Sequence, residues 1–299
     1  MEIVAKSEAM KEVLRLAERV AATDVNVLIT GESGTGKNLI AEFIHQKSKR
    51  NSFEIGKVDC ASLPKDLLEA ELFGYEKGAF TGASEMRIGR LELAHKSTLL
   101  LDEIAHLPID SQAKLLRVLE QKEFERLGGQ KTIKIDVRII ATTNVDLEKA
   151  IAKKTFREDL FYRLNVVKIQ VPSLSERRAD IKNLAQDLLQ FYSNKHSIPN
   201  LEFSENALKH LETFDFYGNV RELSNLIERA VIISNSNKIT SENFPNRTKN
   251  DKLLTLQELE HNYVREILQK TNGNKSKAAE ILGISRKNLY EKLAKMNKV

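Results

Sequence analysis

"NVLITGESGTGKNLIAEFIHQKS", Asn26 to Ser48, decides the fold. A short apolar run stops at Gly31, and beyond Lys37 the apolar residues Leu39, Ile40, Phe43 and Ile44 recur at helical spacing. Between them "GESGTGK" fits G-x-x-x-x-G-K. In such a loop the glycines Gly31, Gly34 and Gly36 let backbone N–H groups turn inward around phosphates, with Glu32, Ser33 and Thr35 between them, and Lys37 reaches the β- and γ-phosphate oxygens. The next residue is usually Ser or Thr; here it is Asn38, so the pattern is one residue short. Composition alone would produce the truncated pattern about 0.1 times in a chain of this size. A strand before it and a helix after it are what the mechanism needs, and together they predict a nucleotide site.

Further strands are predicted in "STLLLDE" (Ser97–Glu103), "VRIIATTN" (Val137–Asn144) and "VVKIQVP" (Val166–Pro172). Short apolar strands alternating with helices predict an α/β fold, a mostly parallel sheet flanked by helices on both faces. Ligands in such sheets bind at the carboxyl ends of the strands, where Gly31, Asp102 and Asn144 all fall. Asp102 at a strand tip is placed to hold Mg²⁺, and Glu103 beside it to polarise the attacking water. Asn144 could orient the same water or simply cap a turn.

After Pro172 the strand signals largely stop. "ERRADIKNLAQDLLQFYSNKH", "NALKHLETF" and "GNVRELSNLIERAVIIS" read as helices, so 1–172 is expected to be the α/β core and 173–236 a small all-helical domain. The polar stretch 237–252 reads as a linker. A helix-turn-helix domain is expected over 253–299, starting with a Thr255-x-x-Glu258 capping box and an amphipathic helix Leu254–Gln269 suited to dimer formation. In "KSKAAEILGISRKNLYEKL", Ala278, Ala279, Ile281, Leu282, Leu289 and Leu293 can pack inward around a Gly283 turn, with Ser285 capping the second helix.

The chain has 299 residues, 41% of them hydrophobic, and a net charge of +5. Residues 270–299 carry eight Lys/Arg against Glu280 and Glu291, a local charge of +6, which leaves the rest near neutral at −1. A basic tail on a near-neutral body points to a polyanion-binding module or, on charge alone equally, to a solvated lysine face; the helix-turn-helix reading makes double-stranded DNA the polyanion. Lys275, Ser276, Lys277, Ser285, Arg286, Lys287, Asn288, Tyr290 and Lys292 are the candidate DNA-binding residues; which of them read bases is left open. The single Cys60 excludes an internal disulfide framework and fits a reducing cytoplasm, as a small core residue and not a nucleophile. No apolar run approaches the 18 or so residues of a membrane span, and the start lacks a signal peptide, so no membrane partner is expected.

One segment fits none of this: "ELFGYEKGAFTGAS", Glu71 to Ser84. It is too glycine-rich for a stable helix and, at Phe80, too apolar for a solvated loop. With the phosphate loop, "LLLDEI", "QAKLLRVLE", "RLGG", "FREDLFYRLNVV", "ERRADI" and "GNVREL" in that order, the chain resembles the bacterial enhancer-binding proteins, AAA+ activators of sigma-54 RNA polymerase, over roughly residues 3–235. The tail "NGNKSKAAEILGISRKNLYEKL" resembles their Fis-type helix-turn-helix. The resemblance implies a cytoplasmic, two-component-type transcriptional activator. It would bind upstream DNA, form dimers and a hexamer or heptamer ring, and use ATP turnover to remodel the sigma-54 polymerase from closed to open promoter complex.

By the same resemblance Gly31–Asn38 would bind ATP, Asp102 and Glu103 would form the Walker B pair, and Asn144 would lie in sensor I. Arg163 would be an arginine finger and Arg157 a second arginine acting on the neighbouring subunit, whereas on their own both read as surface salt-bridge formers. Arg221 would be the sensor II arginine. Gly78, Ala79, Phe80, Thr81, Gly82 and Ala83 would touch sigma-54, with Phe80 the apolar contact and the glycines the hinges. Asn38, Asp59, Ala5 and "FDFYGN" depart from common family residues; the Asp59 position often carries an Asn that couples the catalytic Glu to the loop. Two rivals are another kind of AAA+ machine, which an intact "GAFTGA" argues against, and a DNA-binding regulator that holds ATP only as a ligand, which Glu103 and Arg163 argue against. The motifs begin almost at Met1, which fits either a piece of a longer chain or a regulator controlled in trans.

Overall fold

The computed structural model describes residues 3–234, 236–245, 263–264, 267–268, 271, 274–286, 288–289 and 293. The chain divides into two compact units, Met1–Phe244 and Pro245–Val299. In the first, helix α1 (Glu8–Ala21) leads to β1 (Val27–Thr30), α2 (Lys37–Gln46), β2 (Gly56–Asp59) and α3 (Lys65–Phe73). A hairpin β3 (Gly74–Tyr75) and β4 (Arg87–Ile88), α4 (Arg90–Leu93), β5 (Thr98–Asp102) and α5 (Ile109–Gln121) follow. A second hairpin β6 (Glu123–Glu125) and β7 (Thr132–Lys134) precedes β8 (Arg138–Thr143), α6 (Leu147–Ala152), α7 (Glu158–Leu164) and β9 (Val167–Gln170).

The central sheet runs β2-β5-β8-β1-β9, every neighbouring pair parallel. Its three central strands, β5, β8 and β1, are buried on both faces, as a sheet covered on both sides requires. Side chains of a strand alternate between faces. Leu28, Leu99, Leu101, Ile139 and Ala141 therefore enter one core with α3, α5 and α7. Val27, Ile29, Leu100 and Ile140 enter the other with α1 and α2. Register places Thr30 beside Thr143 and Asp59 beside Asp102, so the carboxyl ends of β1, β8, β5 and β2 form one ledge.

The four expected strands are present. β2 was not foreseen, because "GKVD" has one buried apolar residue, Val58, and no periodicity to read. Neither hairpin was foreseen either. Each is two or three residues deep and exists because its arms pair across a loop, not because of local propensity.

Beyond β9 a 3₁₀ segment, Leu174–Asp180, kinks at Arg177 into α8 (Ile181–Lys195). β10 (Glu202–Phe203), α9 (Glu205–Glu212), α10 (Asn219–Ile233) and β11 (Lys238–Ile239) complete the lid. The expected all-helical domain ending at 236 needs correction. β10 pairs with β11, and Ile239 and Phe244 are buried in the helical core, so 237–244 is packed structure and not linker. Two isolated apolar residues in a polar stretch give no pattern, and only their tertiary contacts reveal the role. The rest of the expected linker, the Thr255 capping box and most of Leu254–Gln269 lie outside the described residues.

In the C-terminal unit, helix Lys275–Ile281 is capped by Asn274, whose side chain accepts from the N–H groups of Ser276 and Lys277. Gly283 turns at φ 67°, and Ser285 Oγ accepts from Asn288 N at 3.2 Å, the cap expected for the second helix. Ala278, Ala279 and Leu289 are buried with Val264 and Ile267. Ile281, expected to pack inward, is 51% exposed; the inward face of this short helix is filled by the two alanines.

Arg138 is the largest fully buried side chain. Its guanidinium donates to the carbonyls of Val20 (3.0 Å), Val25 (3.2 Å) and Ala21 (3.5 Å), closing the C-terminal end of α1 onto β8. Arg138→Leu should destabilise this unit by about 2–4 kcal/mol, because buried carbonyls lose their donors; an unchanged urea-unfolding midpoint would contradict this. Cys60 is buried, and burial, with Asp59, Asp102 and Glu103 nearby, pushes its thiol up to about 12. At pH 8 the native thiol is then thiolate in only about one molecule in 10⁴, so iodoacetamide should label Cys60 rapidly only after denaturation.

Candidate functional site: the phosphate loop, its acids and its lid

The loop after β1 is built from the backbone outward. Gly34 sits at φ 78°, and a Cβ there would lie 2.4 Å from Gly218 O, so both the turn and the approach of the lid demand glycine. Gly36 at φ 101° starts α2, whose first N–H groups face the cleft. Lys37 is buried. Its Nζ donates to Gly31 O at 3.0 Å and Glu32 O at 3.3 Å, and lies 3.2 Å from Glu103 Oε1.

The acids come from the tip of β5. Asp102 Oδ2 accepts from Asn38 Nδ2 at 2.7 Å, and its Oδ1 accepts from the Thr142 hydroxyl on β8. Glu103 adopts a left-handed conformation, φ 52°, held by its N–H to Thr142 Oγ1 at 3.2 Å. Its Oε2 accepts from Asn144 N at 3.0 Å. Asn144 thus reaches Glu103 through its backbone, a role invisible in a side-chain reading. The Asp59 carboxylate accepts from Ala61 N at 2.9 Å, its one contact among the described residues, and so caps its own turn instead of coupling to Glu103.

The residues Ser33–Asn38, Asp102, Glu103, Val220, Arg221 and Ser224 line a cleft of about 260 Å³. Arg221 Nη1 donates to Ser33 Oγ at 3.0 Å, so the lid arginine expected at the nucleotide does face the loop. A larger cleft, about 390 Å³, lies beyond Gly31 and Glu32 and includes Asn144, Phe161 and Lys168, but none of Ser33–Asn38. The chemistry favours the smaller one, where the loop, a lysine and two acids converge. The site also fits a hard cation: Mg²⁺ at phosphate sites is held by one or two carboxylates plus phosphate oxygens, and Asp102, held in place by the Asn38 amide, supplies one such carboxylate.

Three sequence features were missed. Asn219 at the start of α10 is buried and donates to Glu32 Oε2 at 2.9 Å and to Ser33 O at 3.1 Å. Arg177, also buried, donates to Thr35 O. Asp180 is buried and accepts from the N–H groups of Lys6 (2.6 Å) and Ser7 (2.7 Å), anchoring the start of α1. All three lie in "ERRADI" and "GNVREL", motifs used to recognise the chain but read residue by residue only at Arg221.

Two expected arginines stand apart from this cleft. Arg163 is 58% exposed and pairs with Glu120 at 3.1 Å; Arg157 pairs with Asp159 at 2.7 Å. Neither lines the loop cleft of its own chain. Residues 78–83 form the tip between β3 and β4, closed by Gly78 N to Ala83 O at 2.8 Å. Gly78 and Gly82 have φ 84° and 108° with nothing within 4 Å of a Cβ, so backbone conformation, not crowding, calls for glycine there. Phe80 lies edge-on to Tyr75 at 4.9 Å and is still 44% exposed. In the C-terminal unit Lys275, Ser276, Lys277, Ser285, Arg286 and Asn288 are exposed; Lys287, Tyr290 and Lys292 lie outside the described residues.

Residues 3–170 match the family model for the Sigma-54 interaction domain, 175–260 that for the AAA+ ATPase lid domain, and 255–296 that for bacterial regulatory proteins of the Fis family. The regulatory protein AtoC of Escherichia coli is 44% identical over 307 residues, covering 97% of this chain and 67% of AtoC. A Nif-specific regulatory protein of Rhizobium leguminosarum is 51% identical over 242 residues, covering 81% of this chain and 46% of that protein. The crystal structure of NtrX from Brucella abortus in complex with ATP superposes with a TM-score of 0.77 at 36% identity, covering 99% of this chain and 70% of NtrX. The chain thus spans between about half and two thirds of these curated relatives. Among the described residues no helix is long and apolar enough to cross a membrane. With a sigma-54 interaction domain over more than half its length, an AAA+ lid closed on its phosphate loop and a Fis-type helix-turn-helix behind them, the chain belongs to the sigma-54-dependent transcriptional activators, a family of AAA+ ATPases.

Proposed function

We propose that this chain hydrolyses ATP in a ring of its own copies and spends that turnover on remodelling sigma-54 RNA polymerase bound at a promoter, while its C-terminal unit holds upstream DNA. The observation that carries the proposal is the convergence of Lys37, Asp102, Glu103 and Arg221 on one cleft, with "GAFTGA" built on a separate hairpin outside it. In the cleft Lys37 grips the β- and γ-phosphates, and inward N–H groups of Gly34–Lys37 share their charge. Asp102 would hold Mg²⁺, oriented by the Asn38 amide and the Thr142 hydroxyl, and the ion would supply charge neutralisation at the phosphates. Glu103 activates the attacking water. Both of its oxygens are engaged, by Lys37 and by Asn144 N–H, so it becomes a base when the phosphates take the lysine. Arg221 steadies the phosphate chain from the lid side.

Arg163 and Arg157 act on a neighbouring copy. Their ion pairs are exposed and weakened by solvent, and so are readily exchanged for a phosphate across an interface. A trans-acting arginine needs a head-to-tail contact, which closes into a ring when the rotation permits. The "GAFTGA" tip works away from this chemistry. Its turn is held by few hydrogen bonds, and Phe80 offers an apolar anchor and Thr81 a hydroxyl to a partner gripped for part of a cycle. Lys275, Ser276, Lys277, Ser285, Arg286 and Asn288 present the helix-turn-helix to the DNA phosphates and major groove, and binding weakens steeply with salt.

The separation of chemistry from grip is tested by two variants side by side. Glu103→Gln should keep ATP binding and lose hydrolysis by a factor of about 10² or more. Thr81→Ala should keep most hydrolysis and lose capture of sigma-54 in the presence of an ATP transition-state mimic; normal capture, or a simple loss of hydrolysis, would overturn the assignment of the tip. For the arginine, mixing Arg163→Ala with Lys37→Ala chains should restore some ATPase, because mixed rings regain complete sites. Mixtures that form mixed rings yet never exceed either parent would place Arg163 in its own subunit's chemistry.

A further inference from the structure

The phosphate loop turns its N–H groups toward the cleft, so its carbonyls face away and need donors elsewhere. Lys37 Nζ serves Gly31 O and Glu32 O, the latter also accepting from Thr35 Oγ1. The next three carbonyls are served by the lid: Ser33 O by Asn219 Nδ2 at 3.1 Å, Gly34 O by Val220 N at 3.0 Å, Thr35 O by Arg177. Asn219 is central to this set. It is fully buried, its Nδ2 also donates to Glu32 Oε2 at 2.9 Å, and its Oδ1 accepts from Leu174 N at 2.7 Å, where the chain leaves the sheet for the lid.

We propose that Asn219 is the positioning residue that locks the lid to the phosphate loop, so that nucleotide affinity depends on its carboxamide. The proposal rests on the nucleotide reading above. Only a carboxamide fits: it must accept on one side and donate twice on the other, where a carboxylate only accepts and an aliphatic side chain does neither. The position also demands φ 54°, which Asn tolerates and most residues do not. The lock joins the loop, the lid helix and the start of the lid at Leu174 through one side chain, so a lid displaced from the loop leaves Glu32 and the Ser33 carbonyl without their donor together.

The test uses the full chain and three variants: Asn219→Asp, Glu32→Gln and the two combined. Asn219→Asp sets a carboxylate against Glu32 and the Ser33 carbonyl. ADP affinity, measured by titration calorimetry, should fall at least tenfold, and amide hydrogen exchange should rise at Glu32–Thr35 and Val220 while α9 stays protected. Glu32→Gln alone, whose amide oxygen still accepts from Asn219, is the reference against which the double variant is read. In the double variant the new amide at 32 donates to the new carboxylate at 219, and at least threefold of the lost affinity should return. A residue that merely fills the lid core would show no such rescue. A double variant no tighter than Asn219→Asp, or an Asn219→Asp chain that binds ADP like wild type, overturns the proposal. If Asn219→Asp does not fold, Glu32→Ala carries the test, with increased exchange expected at 32–35 and 219–221; unchanged exchange there overturns it. Wild type that binds no ADP would sink the nucleotide reading instead, and the exchange comparison between ligand-free proteins would still decide the lock.

Discussion

A loop that turns its N–H groups toward one cleft leaves its carbonyls pointing the other way, and buried carbonyls need donors. In this chain the need is met from two sides. Lys37 folds back to serve the carbonyls of Gly31 and Glu32, and the lid serves those of Ser33, Gly34 and Thr35. The lid is therefore more than a cover. It is the hydrogen-bonding complement of the phosphate loop, and the close approach explains why Gly34 meets Gly218 with no room for a side chain on the loop. Asp180 extends the arrangement to the start of α1 by accepting from Lys6 and Ser7, so three buried polar residues of the lid bind the first 35 residues to a helical unit more than 130 residues further along the chain. Buried polar groups paired in this way rigidify a site, and each loss leaves an unpaired partner.

The acids are held by a different constraint, the adjacency of parallel strands. β5 delivers Asp102 and Glu103, and β8 beside it delivers Thr142 and Asn144, at the same edge of the sheet where β1 opens into the loop. Thr142 engages both acids, through the Asp102 carboxylate and the Glu103 N–H. Asn38 joins α2 to the same carboxylate. Each of the two acids is thus fixed by at least two other residues, whereas the parts proposed to meet partners are exposed. Arg157 and Arg163 sit in exposed ion pairs, and the 78–83 tip has open space around its two hinge glycines. The contrast follows from burial: Lys37 and Thr142 pair the acids from inside the protein, whereas Arg157 and Arg163 keep their polar groups in water.

The sequence alone settled the α/β class, the phosphate loop, the strand-tip acids and the order of motifs, because each is local. A strand–glycine–helix pattern states its own backbone requirement, an apolar run ending in Asp-Glu states where the chain leaves the core, and an uncommon string such as "GAFTGA" needs no contact to be seen. Ser285 as a helix cap was legible for the same reason. What only the tertiary structure decided is everything that depends on pairing across long separations. "GKVD" becomes an edge strand because Thr98–Asp102 lies beside it, not because of its own composition. Ile239 and Phe244 belong to the lid although their surroundings read as linker. Asn144 acts through a backbone N–H that no side-chain pattern encodes, Asp59 turns back on its own turn, and Asn219, one of many asparagines in the sequence, becomes the joint between lid and loop only because Glu32 and Ser33 are folded against it from 187 and 186 residues away. Local propensity and periodicity carry no information about which distant donor will meet which carbonyl; that is set by the packing of the sheet and lid.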